Sequence, residues 1–303
     1  MIFMYHNIVP SQASPGHNQQ SITLREHDFK RQVSALSKIY QFVRLEDYLY
    51  EWRKKGKQPF FKAVLTIDDG TWATYEYGVN FLIEKEIPSL IFVNTCQIDH
   101  GPLIWGAYLN ALCYDSQYEY LEIEGMRYDL HTRENKKHNK RHLEILARDT
   151  ESPSKTVLAW AEKYPIQEEV LKYYRGMSSE QLEHAGASKF VEIGVHTHSH
   201  PFLSTLRKEG QMEEISTNRA ILKDKTKTEV RYMAYPSGDY NNDTLDILRK
   251  LKFEAACAVH MDGKNEDLIY QLPRVGIYSP SVKRVVAASL INRLKLKGLR
   301  FEE

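Results

Sequence analysis

The chain is poor in cysteine, and the three it has, Cys96, Cys113 and Cys257, are odd in number, widely spaced and form no CxxC pair. That argues against a disulfide framework and fits three reduced core thiols. Net charge is also missing, since 41 lysines and arginines against 40 aspartates and glutamates leave +1. Such a balance offers no field for nucleic acid or an anionic bilayer, so the expected substrate is neutral or modestly charged. No stretch approaches the roughly 18 apolar residues of a membrane span. The opening MIFMYHNIVP lacks a basic leader and a small-residue cleavage site and carries His6 in its middle. It reads as a first strand, and the expected location is cytoplasmic.

What is present is an α/β rhythm. With 303 residues and 42 % hydrophobic content, the chain has room for one large α/β domain or two small ones. Strand-like runs (IFMY, YQFVRL, KAVLTI, SLIFVNT) alternate with helix-like ones, including a helix over about 72–86 closed by Pro88. Parallel strands with crossover helices follow. From about 100 to 178 the rhythm breaks into helical, aromatic-rich and charged stretches with no strong strand. This reads as an insertion. Its run KKHNKRH, with His138 and His142 at helical spacing, fits a solvated helix face better than a ligand pair. The rhythm then resumes with a helix capped by Ser178 or Ser179, the strand KFVEIGV, the strand EVRYMAY, the turn PSGDYN and the strands EAACAV and LPRVGIY. The tail places Val282, Val285, Val286, Leu290 and Leu294 at helical spacing. Packing on the domain is expected, with peripheral membrane contact of its basic end the sharper alternative.

Two strings carry chemistry. TIDDG, residues 66–70, and HTHSHP, residues 196–201, each follow an apolar β-branched run, so each sits where a strand gives way to a loop. A hydrolytic divalent cation needs a few N or O ligands and an open position, and two histidines with one carboxylate supply them. His196 and His200, four apart, fall on one side of a helical turn, and His198 projects elsewhere as an outer or substrate-facing group. Adjacent carboxylates repel; a metal on Asp69 relieves that and leaves Asp68 free as a base. Taken singly, each string could instead be a solvated or acidic turn, or a helix cap.

TIDDG, HTHSHPFL and the later AYPSGDYN, in that order, resemble the motifs of the polysaccharide deacetylase family, also called NodB-homology or carbohydrate esterase family 4. The resemblance spans roughly residues 1–98 and 178–280. It implies a distorted (β/α) barrel of about seven strands with a mainly helical insertion, in a single domain over 1–303 with a C-terminal helix at about 281–297. It also implies Asp69, His196 and His200 as ligands to a divalent metal, most simply Zn2+, with Co2+ or Ni2+ equally suited to the donors, and Asp68 as general base. The implied activity is hydrolysis of an N-acetyl group on an amino sugar, releasing acetate. O-acetyl or non-sugar amide hydrolysis on the same fold, and glycan binding without turnover, stay open.

The chain departs from the family pattern twice. Ala234-Tyr235-Pro236-Ser237-Gly238 stands where the family has an arginine-containing RPPYG, so the arginine that orients the base must come from elsewhere, Arg274 or Arg231, with Arg274 preferred. Tyr235 and the Ser237 backbone N–H fall where that motif orients substrate and stabilises the oxyanion. No late Leu-x-His motif supplies a general acid either. The only late candidate is His260, whereas Met4-Tyr5-His6-Asn7 is similar to the N-terminal Tyr-His of the biofilm poly-N-acetylglucosamine deacetylase branch, which makes His6 the candidate acid. The insertion is expected to roof the site.

Overall fold

Seven short apolar runs form parallel strands: β1 Ile2–Tyr5, β2 Lys62–Ile67, β3 Ser89–Val93, β4 Val191–Val195, β5 Tyr232–Ala234, β6 Ala255–Ala258 and β7, which comprises Leu272–Pro273 and Val275–Gly276 on either side of Arg274. In the computed structural model, which describes residues 1–13, 22–150, 153–259 and 265–295, they lie side by side in chain order. Most of their residues are buried, as expected of strands covered on both faces. The first half of β7 pairs with β6 through Cys257↔Leu272, and the second half pairs with β1 through Phe3↔Val275 and Met4↔Gly276. The sheet thereby returns to its first strand, and the architecture is a distorted (β/α) barrel of these seven strands, with the short parallel strand Gln41–Phe42 paired beside the start of β2.

Strand alternation sorts the core into two layers. Ile2, Val64, Leu90, Phe92, Tyr232 and Leu272 cluster together, with Tyr48, Leu49 and Trp52 of the helix Leu45–Lys55 packed on the same cluster. Phe3, Leu65, Ile91, Val93, Ile193 and Met233 belong to a second cluster with the surrounding helices. Among the latter, Glu26–Leu36 buries Phe29, Val33 and Leu36, the face its spacing predicts. Ser178, not Ser179, caps the helix Ser179–Ala187 in a reciprocal box with Gln181. The helix over 72–84 contains a π-helical stretch, Tyr75–Val79.

Residues between β3 and the helix Ser179–Ala187 build their own apolar cluster around Trp105, Leu109, Leu112, Leu143 and Trp160. The helices Trp105–Asn110, Arg133–Arg148 and Pro153–Lys163 supply most of it, as the insertion reading expects. One correction applies: the stretch also holds an antiparallel hairpin, Tyr120–Ile123 with Met126–Asp129. Its two-residue turn has φ of 52° at Glu124 and 73° at Gly125, the left-handed pair that matches strand twist.

The final helix, Val282–Lys295, packs Val285 and Ser289 inward, and the Tyr40 hydroxyl donates to Ser289 Oγ at 3.1 Å. Leu290, expected on the packed face, is instead 49 % exposed beside Ile291 at 53 %. Among the described residues no helix is long and apolar enough to cross a membrane.

Candidate active site

The same alternation that builds the barrel interior aims chemistry at its mouth. Beyond Met4, Thr66, Phe92 and Gly194, the next position of like parity is His6, Asp68, Asn94 and His196, each at the carboxyl end of its strand. Gly194 is needed within this layer because a Cβ there would meet Phe92 Cδ1 at 2.5 Å. His6, Asp68, Asp69, His196, His200, Tyr235, Ser237 and Arg274 all line one cavity of about 320 Å³, and Trp105, Ala107, Asn110 and Tyr174 from the insertion complete its wall.

Asp69 has φ 74° and is followed by Gly70 at 63°, a sharp turn packed against Val93. Its Oδ1 lies 3.4 Å from His196 Nε2 and 3.7 Å from His200 Nε2. One ligating atom from each of the three lies within 4.8 Å of the others. Tetrahedral ligands at about 2.0–2.2 Å from a metal stand roughly 3.4 Å apart, so the donor set fits such an ion. Asp69 Oδ1 is buried with no hydrogen-bond partner among the described residues, a costly state unless a cation sits against it.

The histidine loop is not the helical turn its spacing suggested. Thr197 and His200 have φ of 64° and 57°, and the loop is held open from outside. The Asn94 amide donates to the carbonyls of His196 and Thr197, and the Asn218 amide donates to the Thr197 carbonyl at 2.6 Å. His196 Nδ1–H donates to the Ala234 carbonyl at 2.8 Å, which fixes the tautomer and leaves Nε2 as the lone-pair nitrogen facing Asp69. Trp105 Nε1–H donates to the His200 carbonyl at 2.9 Å, tying the insertion to a candidate ligand.

Arg274, the preferred replacement for the missing arginine, reaches Asp68. It interrupts β7, is 1 % exposed in its side chain, and forks Asp68 with Nη1–Oδ1 at 2.6 Å and Nη2–Oδ2 at 2.8 Å. Arg231 pairs instead with Glu46, Glu192 and Glu254 outside the cavity. Burial pushes the Asp68 carboxyl up, but Arg274 with His196 and His6 outweighs it and holds the group below the usual carboxylate range. Asp69 is likewise held low against burial, by the histidines around it.

His6 Nε2 stands 3.9 Å from Asp68 Oδ2. Burial lowers its pKa and outweighs the pull of Asp68 and Asp69. Tyr235 reaches the cavity, but its hydroxyl donates to the Tyr270 carbonyl at 2.6 Å and its ring stacks on Tyr240. Ser237, with φ 55°, lines the cavity too. Of the outer and substrate-facing readings of His198, its contacts match the outer one: its Nδ1 meets Thr95 Oγ1 at 2.9 Å, and it is not among the residues lining the cavity. His260 lies outside the described residues. Asn94, Asn218 and Trp105 escaped sequence reasoning; only the even parity of Asn94 beyond β3 could have flagged any of them.

A buried carboxylate with two histidines beside a second, arginine-forked carboxylate, at the carboxyl mouth of a parallel barrel, defines the class of metal-dependent hydrolases. The sequence profile of the polysaccharide deacetylase family matches residues 55–256, and the chain belongs to that family. It is therefore a carbohydrate deacetylase. Among solved structures it is similar to the Streptococcus pyogenes deacetylase PplD in complex with acetate, at 17 % identity over 95 % of this chain and 96 % of that one, with a TM-score of 0.59. IcaB from Ammonifex degensii matches at 19 % identity over 95 % and 96 %, TM-score 0.59. A de-N-acetylase from Aggregatibacter actinomycetemcomitans matches at 13 % identity over 95 % and 98 %, TM-score 0.55. These likenesses share the fold. No curated protein matches the chain significantly.

Proposed function

We propose that the protein removes an N-acetyl group from an amino sugar of a glycan or glycan precursor, with Asp69, His196 and His200 holding a divalent metal, Zn2+ in the simplest case. The observation that carries the reading is the convergence of an orphaned Asp69 Oδ1, two histidine Nε2 atoms and the Arg274-forked Asp68 in one cavity. When bound, such a metal supplies polarisation of the acetyl carbonyl and a water acidic enough for a weak carboxylate base. Asp68 accepts the proton of the attacking water, and Arg274 keeps it ionised and unable to rotate away. His6, 3.9 Å from Asp68, passes that proton on to the sugar nitrogen as the C–N bond breaks, which gives acetate and a free amine. The complete set of base, acid and ligands favours turnover over binding alone.

The test is acetate release from acetylated sugars by wild type and by Asp68→Asn, with metal content measured in both. The variant is expected to lose about 10³-fold in kcat while retaining its metal. Undiminished acetate release by Asp68→Asn would remove the assigned base. Chelation should abolish wild-type activity, with Zn2+, Co2+ and Ni2+ re-addition ranking the metals.

A further inference from the structure

A second cavity, of about 850 Å³, adjoins the candidate active site. The two share Ile22, Asn110, Lys140, Glu144 and Tyr278 as lining residues, so one opens along the wall of the other. The larger cavity is lined by Arg25, Arg133, Lys137, Lys140 and Arg141 against only Asp28 and Glu144. That excess is local, because the chain as a whole is balanced to +1.

Most of the charge comes from one helix, Arg133–Arg148. Arg133, Lys137 and Arg141 follow one another at four-residue spacing and therefore share a face. Like charges at that spacing oppose helix formation, and a cation in the first turn also opposes the helix dipole. Lys140 is paired, with Glu144 at 2.5 Å, but Arg133, Lys137 and Arg141 form no ion pair among the described residues. Arg133, Lys137 and Arg141 are exposed, as on a solvated helix face, and they also gather on the wall of a cavity that continues into the candidate catalytic one.

We propose that this basic wall binds a phosphate group carried by the acetylated sugar substrate, so that the enzyme deacetylates a phosphate-linked amino sugar in preference to a neutral glycan. The proposal rests on the deacetylase reading of the adjoining site. Phosphate suits the wall better than a single carboxylate, because three cations without ion-pair partners on successive turns match a multiply charged, multi-oxygen anion, and arginine offers it a fork. A concave wall also suits a discrete phosphate ester better than a flat bilayer. Two sources share this chemistry, a nucleoside-diphosphate-linked amino sugar and a phosphodiester within an oligosaccharide.

The test measures acetate release by the full, metal-loaded chain from three probes: a neutral N-acetylglucosamine tetramer, a nucleoside-diphosphate-linked N-acetylhexosamine and a phosphodiester-bearing N-acetylated oligosaccharide. One phosphate-bearing probe is expected to exceed the neutral tetramer at least 10-fold in kcat/KM, and which one does so identifies the source. Arg133→Gln/Lys137→Gln/Arg141→Gln should lose that advantage through KM, with a melting temperature that does not fall, and Arg133→Lys/Lys137→Arg/Arg141→Lys should recover it. A wild type that favours the tetramer, or a preference that survives the glutamine variant, overturns the proposal. If no probe yields acetate, the deacetylase reading fails separately. Calorimetric titration of the two phosphate-bearing probes then decides the wall: tenfold weaker binding to the glutamine variant upholds it, and equal binding overturns it.

Discussion

Asp68 is the residue on which most of the site's energetics turns. Its carboxylate and the Arg274 guanidinium are both nearly inaccessible to water, so each depends on the other for its charge. Arg274→Gln leaves a buried carboxylate with no counter-charge, and a loss of about 3–5 kcal/mol in unfolding free energy is expected, readable by denaturant titration. Arg274→Lys keeps the charge but not the fork, so stability should recover in part while kcat stays depressed. A melting curve unchanged in Arg274→Gln would mean that the pair carries no such weight. The sequence made the reactive side chains legible, because Asp68, Asp69 and His196 are polar residues abruptly ending apolar strands. It left the choice between Arg231 and Arg274 to preference, since both flank strands and only closure of the barrel turns one of them inward. The helical-turn reading of His196 and His200 failed for a related reason: distant side chains, Asn94 and Asn218, hold the loop's carbonyls.

At the level of elements, burial and periodicity mostly agree, and the exceptions are instructive. The hairpin Tyr120–Ile123 with Met126–Asp129 went unread although its first strand alternates exposed and buried positions. Four residues are too few for period two to stand out, and a glutamate at a left-handed turn position gives no signal of its own. In the last helix the sequence stripe includes Leu290, yet Val285 and Ser289 form the buried contact. Val285→Ala should therefore cost about 1–3 kcal/mol, whereas Leu290→Gln should stay within about 0.5 kcal/mol. Equal losses would show that Leu290 packs as its spacing suggested. Leu290 and Ile291, with Arg293 lying over Phe60 and near Tyr40, remain the surface to examine if the protein is found at membranes.

For the whole molecule, alternation made the parallel winding legible and the family resemblance implied the barrel, but neither said how it closes. Alternating strands and helices define the winding, whereas the ring depends on β7 pairing with strands on both sides, β6 and β1. The β1 pairing joins residues near the two ends of the chain, the longest-range contact in the sheet. Such contacts carry the largest loop-closure cost and form slowly. The residue at the middle of that joint is Arg274. On refolding from denaturant in the presence of metal, helical signal is expected to return before acetate-releasing activity, and simultaneous recovery would argue against late closure. Until the ring shuts, Asp68 has no arginine to hold it in place. On that order of events the candidate site is completed by the last pairing, and a polypeptide without its final segment would hold Asp68, Asp69, His196 and His200 with no fork on Asp68.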